Sequence, residues 1–144
     1  MAAVNVLAAN KTKIDAGGSG QNVIDSGLYG GVKKVCIDTY TLKAVEANST
    51  IKIATPPKGS KIIGCRIVTA ALGTGVTLAL GDTVSGQSAR YLAASSAATA
   101  ANISAIKVGA IGYVIGTTDG DEKMIVTVGG ATATGAIATI IEYV

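Results

Sequence analysis

From residue 32 onward, apolar and polar positions alternate with a period of two, the pattern of half-buried β-strands. Residues 32–45 (VKKVCIDTYTLKAV) place Val35, Ile37, Thr39 and Thr41 on one face and Cys36, Asp38, Tyr40 and Leu42 on the other. A second strand spans 50–54 and is closed by Thr55-Pro56-Pro57-Lys58-Gly59. Proline there fixes φ and removes a donor, which makes the stretch a strong turn signal. A third strand covers 61–70, with Ile63, Cys65 and Ile67 facing one way. A short strand at 76–80 lies between Gly73, Gly75 and Gly81, and another at 89–94 carries Arg90-Tyr91-Leu92.

Residues 95–102 read as a small-residue loop, and 103–108 as a further short strand. Strands at 112–117 and 123–128 flank Thr118-Asp119-Gly120-Asp121, where Asp-Gly predicts a hairpin turn. The last strand, 135–144, sets Ile137, Thr139, Ile141 and Tyr143 on one face. Ala136, Ala138, Ile140 and Val144 take the other, and Glu142 is its only charge. Both faces can be covered, as in a central strand or a subunit contact. Short strands separated by Gly, Pro and Asp turns predict an all-β fold, an antiparallel β-sandwich or jelly-roll-like barrel.

Residues 1–31 follow a different rule. Glycines at 17, 18, 20, 27, 30 and 31 interrupt every periodic run, so this segment cannot build a core of its own. Its apolar islands, Val4, Val6 and Leu7, then Val23 and Ile24, favour an extended N-terminal arm lying on a neighbour. The expected organisation is an arm over 1–31 and a β-sandwich domain over 32–144.

Composition narrows the chemistry. The chain has no His, Trp or Phe, 19 Gly, and 49% hydrophobic residues. A triad built on histidine is excluded, and structural zinc lacks its four nitrogen or sulfur ligands. Sugars and single-stranded nucleic acid lose their usual large aromatic platforms. Asp119, Asp121 and Glu122 cluster at the hairpin tip, but their spacing is not that of a calcium loop and they read as a solvated turn. Gly17-Gly18-Ser19-Gly20 and Gly73-Thr74-Gly75 lack the spacing of phosphate-binding loops; they read as flexible arm and tight turn. The five tyrosines are scattered and read as packing residues with bonded hydroxyls. Asn48-Ser49-Thr50 and Asn102-Ile103-Ser104 match the glycosylation sequon, which means little without a secretion signal. No catalytic residue, cofactor or metal is expected.

Charged residues make up 15% of the chain, below the ~25% of ordinary soluble domains. The formal charge of +3 is weak, and Lys33-Lys34 is the only adjacent basic pair, so no nucleic-acid partner is expected. Neither a signal peptide nor a membrane span is expected: the start has no basic region before an apolar run, and the Ala-rich stretch 93–101 is too short. Cys36 and Cys65 read as buried free thiols of a protein made in a reducing cytosol. A mean hydropathy of +0.48 with so few charges indicates that part of the surface is covered by other chains.

One stretch carries a resemblance. TPPKGSKIIGCRIVTAALGTGVTLALGDTVSGQSARYLAA contains Pro57, Gly59 and Gly64, then Ala71-Leu72-Gly73, Thr77-Leu78, Gly81-Asp82 and Arg90-Tyr91-Leu92-Ala93-Ala94. This pattern resembles small structural proteins of tailed bacteriophages, of the head decoration or cement kind. The resemblance implies a virion protein on the outer capsid surface, made in the host cytoplasm, with the major capsid protein and its own copies, as a homotrimer, for partners. Under it, the arm residues Val4, Val6, Leu7, Val23 and Ile24 and the C-terminal-strand residues Ile137, Ile140, Ile141 and Tyr143 are the expected interaction sites. A fibre, tail or neck component is the structural alternative, and a host-attachment or glycan-binding module the functional one. An enzyme using carboxylates has no support, since Asp38, Glu46 and Glu142 show no sign of pairing. Within the motif, Arg90 suits a planar ion pair, with Asp82 as its expected partner.

Overall fold

The computed structural model describes residues 32–116 and 123–144. They form eight strands: β1 (Lys34–Val45), β2 (Thr50–Ala54), β3 (Ile62–Thr69), β4 (Thr77–Asp82), β5 (Leu92–Ser96), β6 (Ala101–Ile103), β7 (Met124–Gly129) and β8 (Ala133–Tyr143). The first sheet has the order β1-β8-β3-β6 and the second β2-β7-β4-β5. All pairings are antiparallel.

The pairing has a simple logic. β1 joins β8, β2 joins β7, β3 joins β6 and β4 joins β5, the nesting of one long hairpin with its tip between β4 and β5. Rolling that hairpin brings β8 against β3 and β7 against β4, which completes the two sheets. This is the strand order of a jelly roll, one of the ways an antiparallel fold limits its open edges. The expected all-β sandwich is therefore the observed one.

The core lies between the sheets. Ile62, Cys65, Ile67 and Thr69 of β3 point inward with Ile137, Thr139 and Ile141 of β8. They meet Leu78 and Leu80 of β4 and Val126 and Val128 of β7, all fully buried. The turns before β3 and β4 form as the sequence indicates: Ser60 N–H donates to the Pro57 carbonyl at 3.0 Å and Val76 N–H to the Gly73 carbonyl at 3.2 Å.

Three local expectations need correction. The stretch 95–102 is no simple loop: β5 runs on to Ser96 and β6 begins at Ala101. Pairing with β4 and β3 overrides the weak strand preference of Ala and Ser. Residues 103–108 are not a strand, because β6 ends at Ile103, a single bridge joins Ile106 to Leu92, and a 3-10 turn follows at Val108–Ala110. Of the strand expected over 112–117, the described residues 112–116 do not pair with β7 as a hairpin arm. Gly112 and Gly116 adopt φ of 81° and 79°, leaving Val114 one bridge to Lys61. β7 lies instead between β2 and β4, where its Val126 and Val128 are covered. The expected arm at 1–31 and the turn residues Thr118, Asp119, Gly120 and Asp121 lie outside the described residues.

Candidate interaction surface

The motif residues assemble first. Asp82 ends β4, and Arg90 and Tyr91 immediately precede β5, so the three close the tip of the rolled hairpin. The Asp82 carboxylate is fully buried and receives Arg90 Nε–H at 2.5 Å, Val84 N–H at 3.0 Å and the Tyr91 hydroxyl at 3.4 Å. The Arg90 guanidinium lies 3.9 Å above the Tyr113 ring, and Tyr113 meets Tyr91 edge-on at 6.2 Å. Burial, then the neighbouring Asp82 charge, pushes the Tyr91 hydroxyl far above the usual tyrosine range. The expected Arg90–Asp82 pair is present, and its carboxylate is spent on local donors. The cluster therefore locks a loop, and a carboxylate so occupied is poorly placed for proton transfer.

That loop covers the outer side of β4. A Cβ on Gly81 would sit 2.6 Å from the Ala89 amide nitrogen and closer still to the Gln87 carbonyl oxygen. Tyr113, reached through Arg90, stands in the sequence only as one of five scattered tyrosines. Its place in the cluster depends on the long connection between β6 and β7, which the hydropathy pattern does not reveal.

The cysteines do not pair. Cys36 of β1 and Cys65 of β3 both stand opposite Ile141 of β8, one on each side. Two ladder spacings separate their Cα atoms by roughly 10 Å, beyond the ~7 Å a disulfide tolerates. Both are free; Cys65 is buried as expected, while Cys36 is half-exposed. Burial, reinforced by the Glu142 charge, pushes the Cys65 thiol up to about 12. Among the described residues, no group of three His, Cys, Asp or Glu could hold a metal ion, and no helix is long and apolar enough to cross a membrane.

The remaining feature is the outer face of the first sheet. Antiparallel partners share a face, so the register places Val35, Ile37, Thr39 and Thr41 of β1 beside Glu142, Ile140, Ala138 and Ala136 of β8. Arg66 and Val68 of β3 continue the same rows. Ile37 is 67% exposed, Val35 48% and Val68 39%. Small residues, Thr39, Ala70, Ala136 and Ala138 among them, leave a groove of about 370 Å³ across this face. Its charges sit toward one end, where Lys33 Nζ meets the Glu142 carboxylate at 3.0 Å.

β1 is open in a further way. Among the described residues its only ladder partner is β8, so its other edge is free. From Ile37 to Thr41 every residue is exposed, including Tyr40 on the inward side, because β2 is much shorter than β1 and leaves it bare there. Of the C-terminal-strand residues singled out in the sequence, Ile140 lies on the outer face. Ile137 and Ile141 belong to the core, and Tyr143 is half-buried against it. Val4, Val6, Leu7, Val23 and Ile24 lie outside the described residues, as do Asp119, Asp121 and Glu122. The sequence signal for the outer face was present in β1: its apolar residues Val35 and Ile37 lie on the face opposite Leu42.

Fold and site together define a class: an eight-stranded jelly roll presenting an apolar sheet face and an open edge. Within that class, the chain is similar in structure to a chain of the cyanophage Pam1 capsid asymmetric unit, with a TM-score of 0.64, 19% identity, and coverage of 87% of this chain and 93% of the other. It is also similar to a chain of the Ralstonia phage GP4 capsid, with a TM-score of 0.64, 21% identity, and coverage of 85% and 88%. At these identities the likeness establishes the fold. No protein-family model and no curated protein matches the sequence.

Proposed function

We propose that the chain is a decoration, or cement, protein of a tailed-phage head. It binds the outer capsid lattice, with the major capsid protein as partner, and stabilises the shell mechanically, without a catalytic step. The observation that carries this reading is the outer face of the first sheet, where Val35, Ile37 and Val68 stay exposed beside Ile140 in a protein with few charges. Burying a Val or Ile side chain is worth about 1.5–3 kcal/mol, so such a face has much to gain from a covering partner. The likeness to chains of two phage capsid structures supports the same reading.

In this reading residues 1–31 serve as an arm reaching adjacent capsid subunits, with residues 32–144 as the seated domain. Copies act as trimers, and many individually weak contacts on one rigid shell add through effective concentration. The experiment is co-sedimentation with undecorated heads. Ile37→Asp and a deletion of residues 1–28 should each give a folded protein that binds heads poorly. Normal binding by both would overturn the proposal. Copy number on native particles separates it from a fibre, tail or neck role: hundreds of copies on the head support it, and a few copies at the tail contradict it.

A further inference from the structure

We infer that the free edge of β1 is a self-recognition site: two copies pair their β1 strands antiparallel, in the single register that sets Lys34 against the partner's Asp38. The inference stands on β1 alone and holds whichever particle the chain occupies.

The ladder geometry comes first. Along a strand, N–H and C=O groups of successive residues point to alternate sides. The Asp38 carbonyl faces β8, since it accepts the Thr139 hydroxyl at 3.4 Å. The odd-numbered residues Val35, Ile37, Thr39 and Thr41 therefore turn their backbone groups to the free edge. Thr39 agrees, because its N–H, which has no ladder partner among the described residues, donates to the Asp38 carboxylate of the preceding residue at 2.8 Å.

Symmetry then restricts the register. An antiparallel contact between identical strands is two-fold, and facing side chains must lie on the same side of the combined sheet. Only registers centred on a residue meet both conditions. Centring on Asp38 opposes two carboxylates and also places Lys33 against Lys43. Centring on Ile37 or Thr39 leaves every charge facing a neutral residue. Centring on Cys36 puts Lys34 against the partner's Asp38 at both ends, Val35 against the partner's Ile37, and Cys36 against its own copy. Val35 and Ile37 are then hydrogen-bonded pairs, as their edge-facing backbone groups require. The two apolar outer faces merge into one, and the bulge between Leu42 and Val45 stays clear of the contact. A two-fold contact cannot close a three-fold ring, so in a trimeric assembly it links copies of neighbouring trimers.

Cys36 makes the register measurable. It sits at the two-fold axis in a non-hydrogen-bonded pair, where Cα atoms approach to about 4.5 Å, within disulfide range. Cys65 is buried and cannot substitute for it. Purified full-length chain is oxidised with copper phenanthroline and run on a non-reducing denaturing gel. Wild type should give a disulfide-linked dimer that Cys36→Ser abolishes. Asp38→Lys should lower its yield roughly tenfold, as two like-charged contacts replace two opposite ones. The double variant Lys34→Asp/Asp38→Lys should restore it. Absence of the dimer in wild type would overturn the inference, as would equal yield from Asp38→Lys or failure of the double variant to recover. A rise with Asp38→Ala would also overturn it, showing that Asp38 guards the edge against pairing.

Discussion

β1 and β4 both combine apolar residues and Thr with a few charges, yet the fold treats them in opposite ways. β4 lies between β7 and β5, and all but its first residue are buried. Leu78 and Leu80 enter the core, while the 83–91 loop, locked by Asp82 and Arg90, closes over Gly81 on the outside. β1 has one neighbour among the described residues, and only Leu42 along its length is buried. A hydrophobic residue in β4 holds the monomer together; one in β1 leaves most of its burial free energy unclaimed. The contrast separates the part of the chain that folds it from the part that is available to a partner.

Truncating one side chain in each strand tests that separation most strongly. Leu80→Ala should cost about 2–5 kcal/mol, the usual loss for a buried leucine. Ile37→Ala should change stability by about 0.5 kcal/mol or less, as for an exposed position. Urea denaturation of both variants reads the difference directly. Comparable losses would mean that β1 supports the monomer core and is not held in reserve.

Gly81→Ala probes the lid on β4. The obstacle is backbone, at Gln87 and Ala89, so no side-chain rotation relieves it. Displacing the loop should cost about 1–3 kcal/mol and loosen the Arg90–Asp82 contact, lowering the thermal midpoint while β1 and the outer face stay intact. Capsid binding at a temperature where the variant is folded should therefore be retained. Lost binding by the folded variant would move the contact surface from the first sheet to the second.

Some of this was legible in the sequence because its causes are local. Alternation along 61–70 and 135–144 located β3 and β8, and the Gly81-Asp82 and Arg90-Tyr91 pieces announced a charge pair within one loop. Other features have distant causes. The β1–β8 pairing joins Lys34 to Tyr143, nearly the whole described chain apart, and no short-range pattern encodes it. Tyr113, Val114 and Ile115 read as strand because they are consecutive and apolar, yet the flanking glycines turn the chain away. Ile137 and Ile141 look equally suited to a core or an interface; only the closing of the second sheet over them decides it. The exposure of Tyr40 on the inward side of β1 likewise depends on β2 being short.

The smallest expected effect uses the two thiols, which share a face and a neighbour yet differ in access. Cys65 is buried, and its thiol is pushed up to about 12, first by burial and then by Glu142. Below that pH the sulfur stays protonated and is a poor nucleophile. Cys36 lies on the strand that β2 leaves partly uncovered, and it is half-exposed. Iodoacetamide at pH 8 should therefore modify Cys36 in the native protein and leave Cys65 untouched until denaturant is added, as read by intact mass. Because the thiol of Cys65 titrates higher in the folded state than when unfolded, its protonation favours the fold. That contribution is complete below the unfolded value near 9.0 and fades as pH rises toward about 12. Cys65→Ala should flatten this part of the alkaline stability curve, as read by urea denaturation across that pH range. Equal labelling of both thiols in the folded protein would show that the sheets part readily beside β8, and the division between a closed core and an open β1 would not hold.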